Sequence, residues 1–338
     1  MSAPSGFLGA DRPVFVAPMA GGPTTPALVT AAAAAGSFGF LAAGYRTADD
    51  LAAQIATTRA ETDHFGVNLF VPNSVAIDPT TYREYRERLL PLAEHYAVEL
   101  PVEPRADDDH WRDKLEVVLA SPPPVVSFTF GIPDATTISS LHRAGIVLAQ
   151  TVTSPDEAVM AAESGMDAVV VQAPAAGGHS GTFTPHRPLA DVALPQLVAQ
   201  VAARMSLPII AGGGVSQPVD VNAALHAGAV AVSVGTALLL ADEAGTSAAH
   251  RQALLEWRDR PTTITRAFTG RPARGITNTF IETHLDAPFG YPALHHLTSP
   301  IRRAAAGDLE NVHVWAGAGC GRTATRPAAE ILRELSDR

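Results

Sequence analysis

The sequence predicts an α/β protein, a (β/α)8 TIM barrel with an insertion after the third strand and an irregular C-terminal extension. Three observations predict it. Eight short apolar runs recur before residue 241, most of them leading into glycine, asparagine or glutamine. Stretches of helical length, alanine-rich or amphipathic, separate the runs, and parallel neighbours in a sheet need such crossovers. Eight strand–helix units favour a closed barrel over the competing open, doubly wound sheet.

The first run, Val14-Phe-Val-Ala17, leads into Pro18-Met-Ala-Gly-Gly22. A helix over Pro26 to Ala35 stops at Gly36, and Phe38 to Ala42 is the second strand. Ala27 to Gly44 is the longest apolar stretch, but Gly36 and Gly39 divide it into a helix and a strand, each too short to span a membrane. Ala48 to Arg59 is the next helix, and Phe65-Gly-Val-Asn-Leu-Phe70 the third strand. Residues 73–124 are too long for one crossover and rich in charge. Two helices, a short strand near Val98 to Val102 and the Pro122-Pro-Pro124 loop are expected there. The acid triplet Asp107-Asp-Asp109 reads as a solvated turn, because no partner ligands stand at metal spacing.

Val125 to Thr129 leads into Phe130-Gly131, a helix covers Asp134 to Arg143, and Ile146 to Thr151 is the fifth strand. Ser154-Pro155-Asp-Glu157 marks a helix start, with a capping serine, proline in the first turn and acids after it. The run Ala168-Val-Val-Val171 ends at Gln172. Helices over Leu189 to Met205 and Pro218 to His226 flank Pro208-Ile-Ile-Ala211, and Val230 to Val234 completes the eight. After Ala241 the rhythm breaks: Pro261 to Pro300 is loop-rich and a last helix covers Pro327 to Leu335. The expected division is a barrel over 1–240, with its helical insertion at about 73–124, and an extension over 241–338 packed on one barrel end.

Composition narrows the function. With 34 acidic against 24 basic residues the net charge is −10, and no basic cluster interrupts it, so nucleic acid and anionic membranes are poor partners. Met1 to Arg12 shows neither a basic nor an apolar leader segment, so a cytoplasmic location is expected. Cys320, the sole cysteine, excludes an internal disulfide. Lys114 is the only lysine and lies in a charged, helix-like segment, Asp107 to Leu119. No strand-end lysine is available for a Schiff base.

In such a barrel the active site lies at the carboxyl ends of the strands. Met19, Asn68, Gln172, Gly177, His179, Gly213, Gly214, Ser233, Val234, Gly235 and Thr236 collect there. The loops after the seventh and eighth strands, Gly212-Gly-Gly-Val215 and Ser233-Val-Gly-Thr236, offer backbone N–H groups and a hydroxyl for a phosphate. Asn68 and Gln172 are amides that require partners, and a planar ring with N–H and C=O groups would supply them. Gly177-Gly178 lets backbone pass close to a ligand, and His179 reads as a residue able to exchange a proton near neutral pH.

These residues carry a resemblance. Ala17-Pro-Met-Ala-Gly21, Phe65-Gly-Val-Asn68, Gln172 through Ala176-Gly-Gly-His-Ser-Gly181 and Ala211-Gly-Gly-Gly214 resemble the motifs of the nitronate monooxygenase (2-nitropropane dioxygenase) family in order and spacing. So do Tyr291-Pro-Ala-Leu-His-His-Leu-Thr298 and Trp315-Ala-Gly317. The resemblance implies an FMN-dependent barrel that oxidises alkyl nitronates, such as propionate 3-nitronate, or nitroalkanes with O2 to a carbonyl compound plus nitrite. It implies that Asn68, Gln172, Gly177, Gly213, Gly214 and Ser233 to Thr236 hold FMN, with the Met19 segment beneath the ring. His179 then acts as a base on nitroalkanes or as a hydrogen-bonding cation for a nitronate. Ala173 and Ala175 stand where the family often has glycine and glutamate, so one possible carboxylate orienter of His179 is missing.

Three other readings compete: an NAD(P)H-dependent FMN quinone or enoyl-thioester reductase, a flavin-free lyase or isomerase acting on a phosphorylated small molecule, and a catalytically silent flavin binder. The expected partners are a small nitronate or nitroalkane and O2, in a monomer or homodimer. No metal is expected, since His295-His296 would point apart without a carboxylate, though one of the pair is placed to cap the pocket. Tyr45, Tyr291 and Trp315 read as core or pocket aromatics, and His64, His142, His226 and His250 as surface or helix-end residues.

Overall fold

The structure, a computed structural model, describes residues 6–337. Met1 to Ser5, the start of the Met1 to Arg12 segment in which no leader is expected, and Arg338 lie outside the described residues. Eight parallel strands close into a barrel: β1 (Val14–Val16), β2 (Gly39–Ala42), β3 (Phe65–Phe70), β4 (Val125–Thr129), β5 (Val147–Val152), β6 (Ala168–Gln172), β8 (Ile209–Gly212) and β9 (Ala231–Val234). Closure is made where Val14, Phe15 and Val16 stand in register with Val232, Ser233 and Val234. The strands are buried on both faces, which is why they read as unbroken apolar runs. The barrel floor holds Phe15, Phe38, Phe40 and Ile210. Gly66 leaves room for Phe40, whose ring a Cβ there would meet at 2.4 Å.

The helices are α1 (Pro26–Ala34), α2 (Ala48–Arg59), α3 (Pro79–His95), α4 (Trp111–Ala120), α5 (Ala135–Arg143), α6 (Pro155–Glu163), α7 (Leu194–Ala202), α8 (Pro218–His226), α9 (Ala248–Glu256), α10 (Thr279–Thr283), α11 (Ala293–Ala304) and α12 (Ala328–Ser336). Their starts follow local chemistry. The Thr25, Thr47, Asp78, Asp134, Ser154 and Ser247 side chains accept from backbone N–H groups of the first turns. α12 packs against α1, α8 and β1, on the outer wall of the barrel. Among the described residues no helix is long and apolar enough to cross a membrane.

The insertion differs from expectation in two ways. Val98 to Val102 form no strand, because the chain there leaves α3 through a turn and meets no sheet edge. Nor is the acid triplet a purely solvated turn. Asp109 Oδ2 lies 2.7 Å from the Nζ of Lys114, whose side chain is 2% exposed, and Asp109 Oδ1 accepts from the Tyr45 N–H at 2.8 Å. Asp107 meets His296. Helix α7 is also shorter than Leu189 to Met205, starting at Leu194.

The extension holds structure that the sequence reading missed. β10 (Thr262–Thr265) and β11 (Ala273–Ile276) form an antiparallel pair, and β11 also pairs with β7 (Gly178–His179). The glycine-rich loop after β6 is thereby tied to the tail as a sheet strand. Phe268, Phe280, Leu294, Leu297 and Ile301 of the tail share a core with Tyr82, Tyr85 and Leu89 of α3. The His295-His296 motif lies on a helix, α11, and not in a strand or turn.

Candidate active site

A cavity of about 540 Å³ opens at the carboxyl ends of the barrel strands, roofed by the extension. Every site residue expected from the sequence lines it: Met19, Asn68, Gln172, Gly177, His179, Gly213, Gly214, Ser233, Val234, Gly235 and Thr236.

Two loops make its most polar backbone wall. Gly212 is in register with Ser233, so the turns after β8 and β9 lie side by side. Gly213 and Gly214 have φ of +113° and +80°, a region that L residues with a Cβ reach only with strain. Among the described residues the N–H groups of Gly213, Gly214, Gly235 and Thr236 donate to no protein acceptor. Four unspent donors at one wall of a cavity require a ligand or water. The Thr236 Oγ1 accepts from the Gly317 N–H at 2.9 Å, which leaves its own proton to donate. Met19 lies across this wall, its sulfur 3.4 Å from where a Cβ on Gly235 would sit. A phosphate fits the donor set by charge and by number.

Gln172 does not wait for a ligand. Its Nε2 donates to the His179 carbonyl at 3.1 Å and its Oε1 accepts from the Gly181 N–H at 2.8 Å, closing the loop between them. Asn68 is likewise engaged, its Nδ2 donating to Ser127 Oγ at 2.9 Å and Thr129 Oγ1 at 3.1 Å. Both amides face the cavity with their shape fixed in advance. Gly177 serves a different close approach from the one expected: a Cβ there would meet the Gly317 N at 2.5 Å, so the room it makes is taken by the tail's backbone.

His179 stands in an aromatic box, with Trp315, Tyr291 and Phe130 ring centroids at 5.5, 5.8 and 6.0 Å. Its Nε2 is 2.9 Å from Thr269 Oγ1, and that hydroxyl in turn donates to the Arg271 carbonyl at 3.3 Å. We assign the proton to Nε2, which then donates to Thr269 while the hydroxyl turns to the carbonyl. Nδ1 then carries a lone pair, and among the described residues it has no partner. Burial, with Arg271 and Arg302 nearby, pushes the His179 pKa down to about 3. The neutral-pH titration expected from the sequence is therefore corrected: this histidine is uncharged at pH 7, because burial and two arginines disfavour its cation and, among the described residues, no carboxylate offsets them.

His250, expected at the surface, lines the cavity instead. It donates to the Trp315 carbonyl at 3.0 Å, and burial lowers its pKa to about 4. His295 enters the cavity and stacks on Tyr45 at 4.6 Å, while His296 turns away to Asp107. Thr269, Arg271, Arg302 and His313 were not singled out in the sequence, where no apolar run or glycine cluster flags them. The glycines of Trp315 to Gly321 were the one legible signal, since Gly317 and Gly319 line the glycine wall.

Comparison with known proteins gives one answer along nearly the whole chain. The family model described as nitronate monooxygenase matches residues 5–337. A probable nitronate monooxygenase of Staphylococcus aureus (strain Newman) is 37% identical over 97% of this chain and 94% of its own. The structure superposes on a nitroalkane oxidase from Streptomyces ansochromogenes with a TM-score of 0.90 and 40% identity, covering 96% and 95% of the two chains. It also superposes on FabK from Thermotoga maritima, with a TM-score of 0.74 and 25% identity over 97% and 92%.

Proposed function

This chain belongs to the nitronate monooxygenase family, and we propose that it uses FMN to oxidise small alkyl nitronates, and nitroalkanes, with O2 to a carbonyl compound and nitrite. It is an enzyme of the oxidoreductase class. The observation that carries the reading is His179, held by Thr269 at one wall of a cavity whose other wall is the unspent N–H cradle.

The residues present fit FMN. Gly213, Gly214, Gly235 and Thr236 would hold the phosphate, and Met19, Asn68, Gln172, Gly177, Ser233 and Val234 would border the rest of the cofactor. When bound, the flavin supplies the electron chemistry between substrate and O2. The protein's own residues do the rest. Nδ1 of His179 accepts the proton from the carbon next to the nitro group of a neutral substrate: its lone pair is free, and the anion formed beside it raises the otherwise low basicity of the buried imidazole. For a substrate that arrives as the nitronate no proton need move, and the imidazole is a neighbour only. Trp315, Tyr291 and Phe130 pack around the imidazole and fix its place beside the cavity.

An absorption spectrum of the purified protein, followed by anaerobic addition of propionate 3-nitronate, tests the reading. Flavin bands that respond to the nitronate support it. Bands that ignore the nitronate and bleach with NADH replace it by the reductase reading, bands that respond to neither leave a silent binder, and colourless protein that takes up no FMN points to the flavin-free lyase.

A further inference from the structure

We propose that Arg302 selects the substrate by charge, its guanidinium anchoring an anion so that the cavity takes a nitronate in preference to the neutral nitroalkane. This rests on the reaction assigned above.

The argument begins with what the cavity lacks. The chain carries a net charge of −10, yet among the described residues no aspartate, glutamate or lysine lines the cavity. Arg302, on α11, does line it. Its Nε donates to Thr298 Oγ1 at 3.1 Å, and its Nη2 donates to the His295 carbonyl at 2.8 Å and reaches His295 Nδ1 at 3.4 Å. Nη1 reaches only the His313 Nδ1, at 3.5 Å, the edge of hydrogen-bonding range. Like most arginines of the chain, Arg302 has no carboxylate within 4.0 Å among the described residues, and it is the arginine that lines the cavity. A guanidinium has five donors, so part of its fork is left over.

A charge withdrawn from bulk water without a counter-ion is costly, and proteins normally supply the counter-ion. Here the neighbours are His295 and His313, both held neutral chiefly by burial and also by Arg302 itself. Burial lowers the Arg302 pKa only to about 10, so it remains the fixed cation of this wall at pH 7. The missing partner is a ligand's negative charge. The nitronate and its parent nitroalkane differ by one proton and nearly share a shape, so charge is what this wall can tell apart. The glycine cradle lines the same cavity but is built from the β8 and β9 turns and not from α11.

The test compares kcat/KM for ethyl nitronate and nitroethane in the flavin-bound wild type, Arg302→Met and Arg302→Lys. Losing one charge-assisted contact predicts a fall of about 30-fold for the nitronate in R302M, mostly in KM. Nitroethane binds neutral, so its KM should change by no more than about 3-fold, any loss falling on kcat as the anion forms beside Arg302, and R302K should recover part of the nitronate loss. An equal rise in KM for both compounds overturns the proposal, as does loss of flavin from R302M, which would make Arg302 a cofactor ligand. Sodium nitrite gives a second readout without turnover: it should raise the melting temperature of the wild type and not of R302M. If the wild type oxidises neither compound the reaction reading fails, and the nitrite experiment alone then decides. A rise confined to the wild type supports the anion site, and no rise, or a rise in both proteins, overturns it.

Discussion

Taking the purified protein from pH 7 to pH 5 protonates histidine in the unfolded chain but not His179 in the native one. The native pKa, about 3, lies below the ordinary 6.5, so the neutral form is favoured by folding. That stability is complete above pH 6.5 and is lost as pH falls towards 3. Integrating the proton difference between pH 7 and pH 5 gives a loss of about 1.9 kcal/mol from this one group. Water in the cavity would relax the burial, but a native value of ~4 still gives ~1.8 kcal/mol, because the unfolded chain takes up nearly all the protons in this interval. His179→Asn removes the group at similar size. In urea titrations at both pH values and matched flavin content, the wild type should therefore lose about 1.9 kcal/mol more than the variant on acidification. For a chain of 338 residues that is a difference of roughly 3 °C in melting temperature. Equal losses in the two proteins would mean that His179 is charged in the native state at pH 5, and the free-base reading of Nδ1 would fall with it.

Three further outcomes follow from contacts around the cavity. Gly177→Ala puts a methyl against the Gly317 N and the Ala316 carbonyl carbon at 2.5 and 2.7 Å, so it should destabilise by about 2 kcal/mol or more. An unchanged urea midpoint would refute that docking. Gly214→Ala imposes a Cβ at φ +80°, 2.9 Å from the Ala175 Cβ, and should weaken FMN retention roughly tenfold by fluorescence titration; undiminished retention would remove this turn from the cradle. Thr269→Val removes the acceptor that fixes the His179 tautomer, so nitroethane turnover should fall about tenfold with the flavin spectrum intact, and Thr269→Ser should restore it.

The barrel was legible because parallel strands buried on both faces leave apolar runs, and because Thr25, Ser154 and Asp134 cap helices by local contacts that need no tertiary knowledge. The glycine wall was legible for the same reason, since its geometry is written into consecutive residues. Gln172 was found but its work was not: its partners, the His179 carbonyl and Gly181 N–H, are set by how the loop folds back. The two-residue strand Gly178–His179 has too few residues for a period of two to show, and its partner lies nearly 100 residues away in sequence at Ala273 and Arg274. Arg302 and Thr269 carry no local signature at all. An arginine on an amphipathic helix reads as solvated until the fold shows what lies over it. The same holds for Asp109, which looked like one acid among three and proved to be the partner of the only lysine.

That lysine gives the molecule an unusual property as a laboratory object. With Lys114 enclosed against Asp109, the native fold offers a lysine-specific protease no open bond, and the whole sequence offers it only one. Cleavage after Lys114 requires α4 to leave its place, and with it the contact through which Asp109 holds the Tyr45 backbone beside the cavity. Two fragments from a single cut therefore time one event, the opening of the insertion, without background from any other site. Ligands that settle against Tyr45 and its stacked partner His295 should slow that cut in proportion to their occupancy.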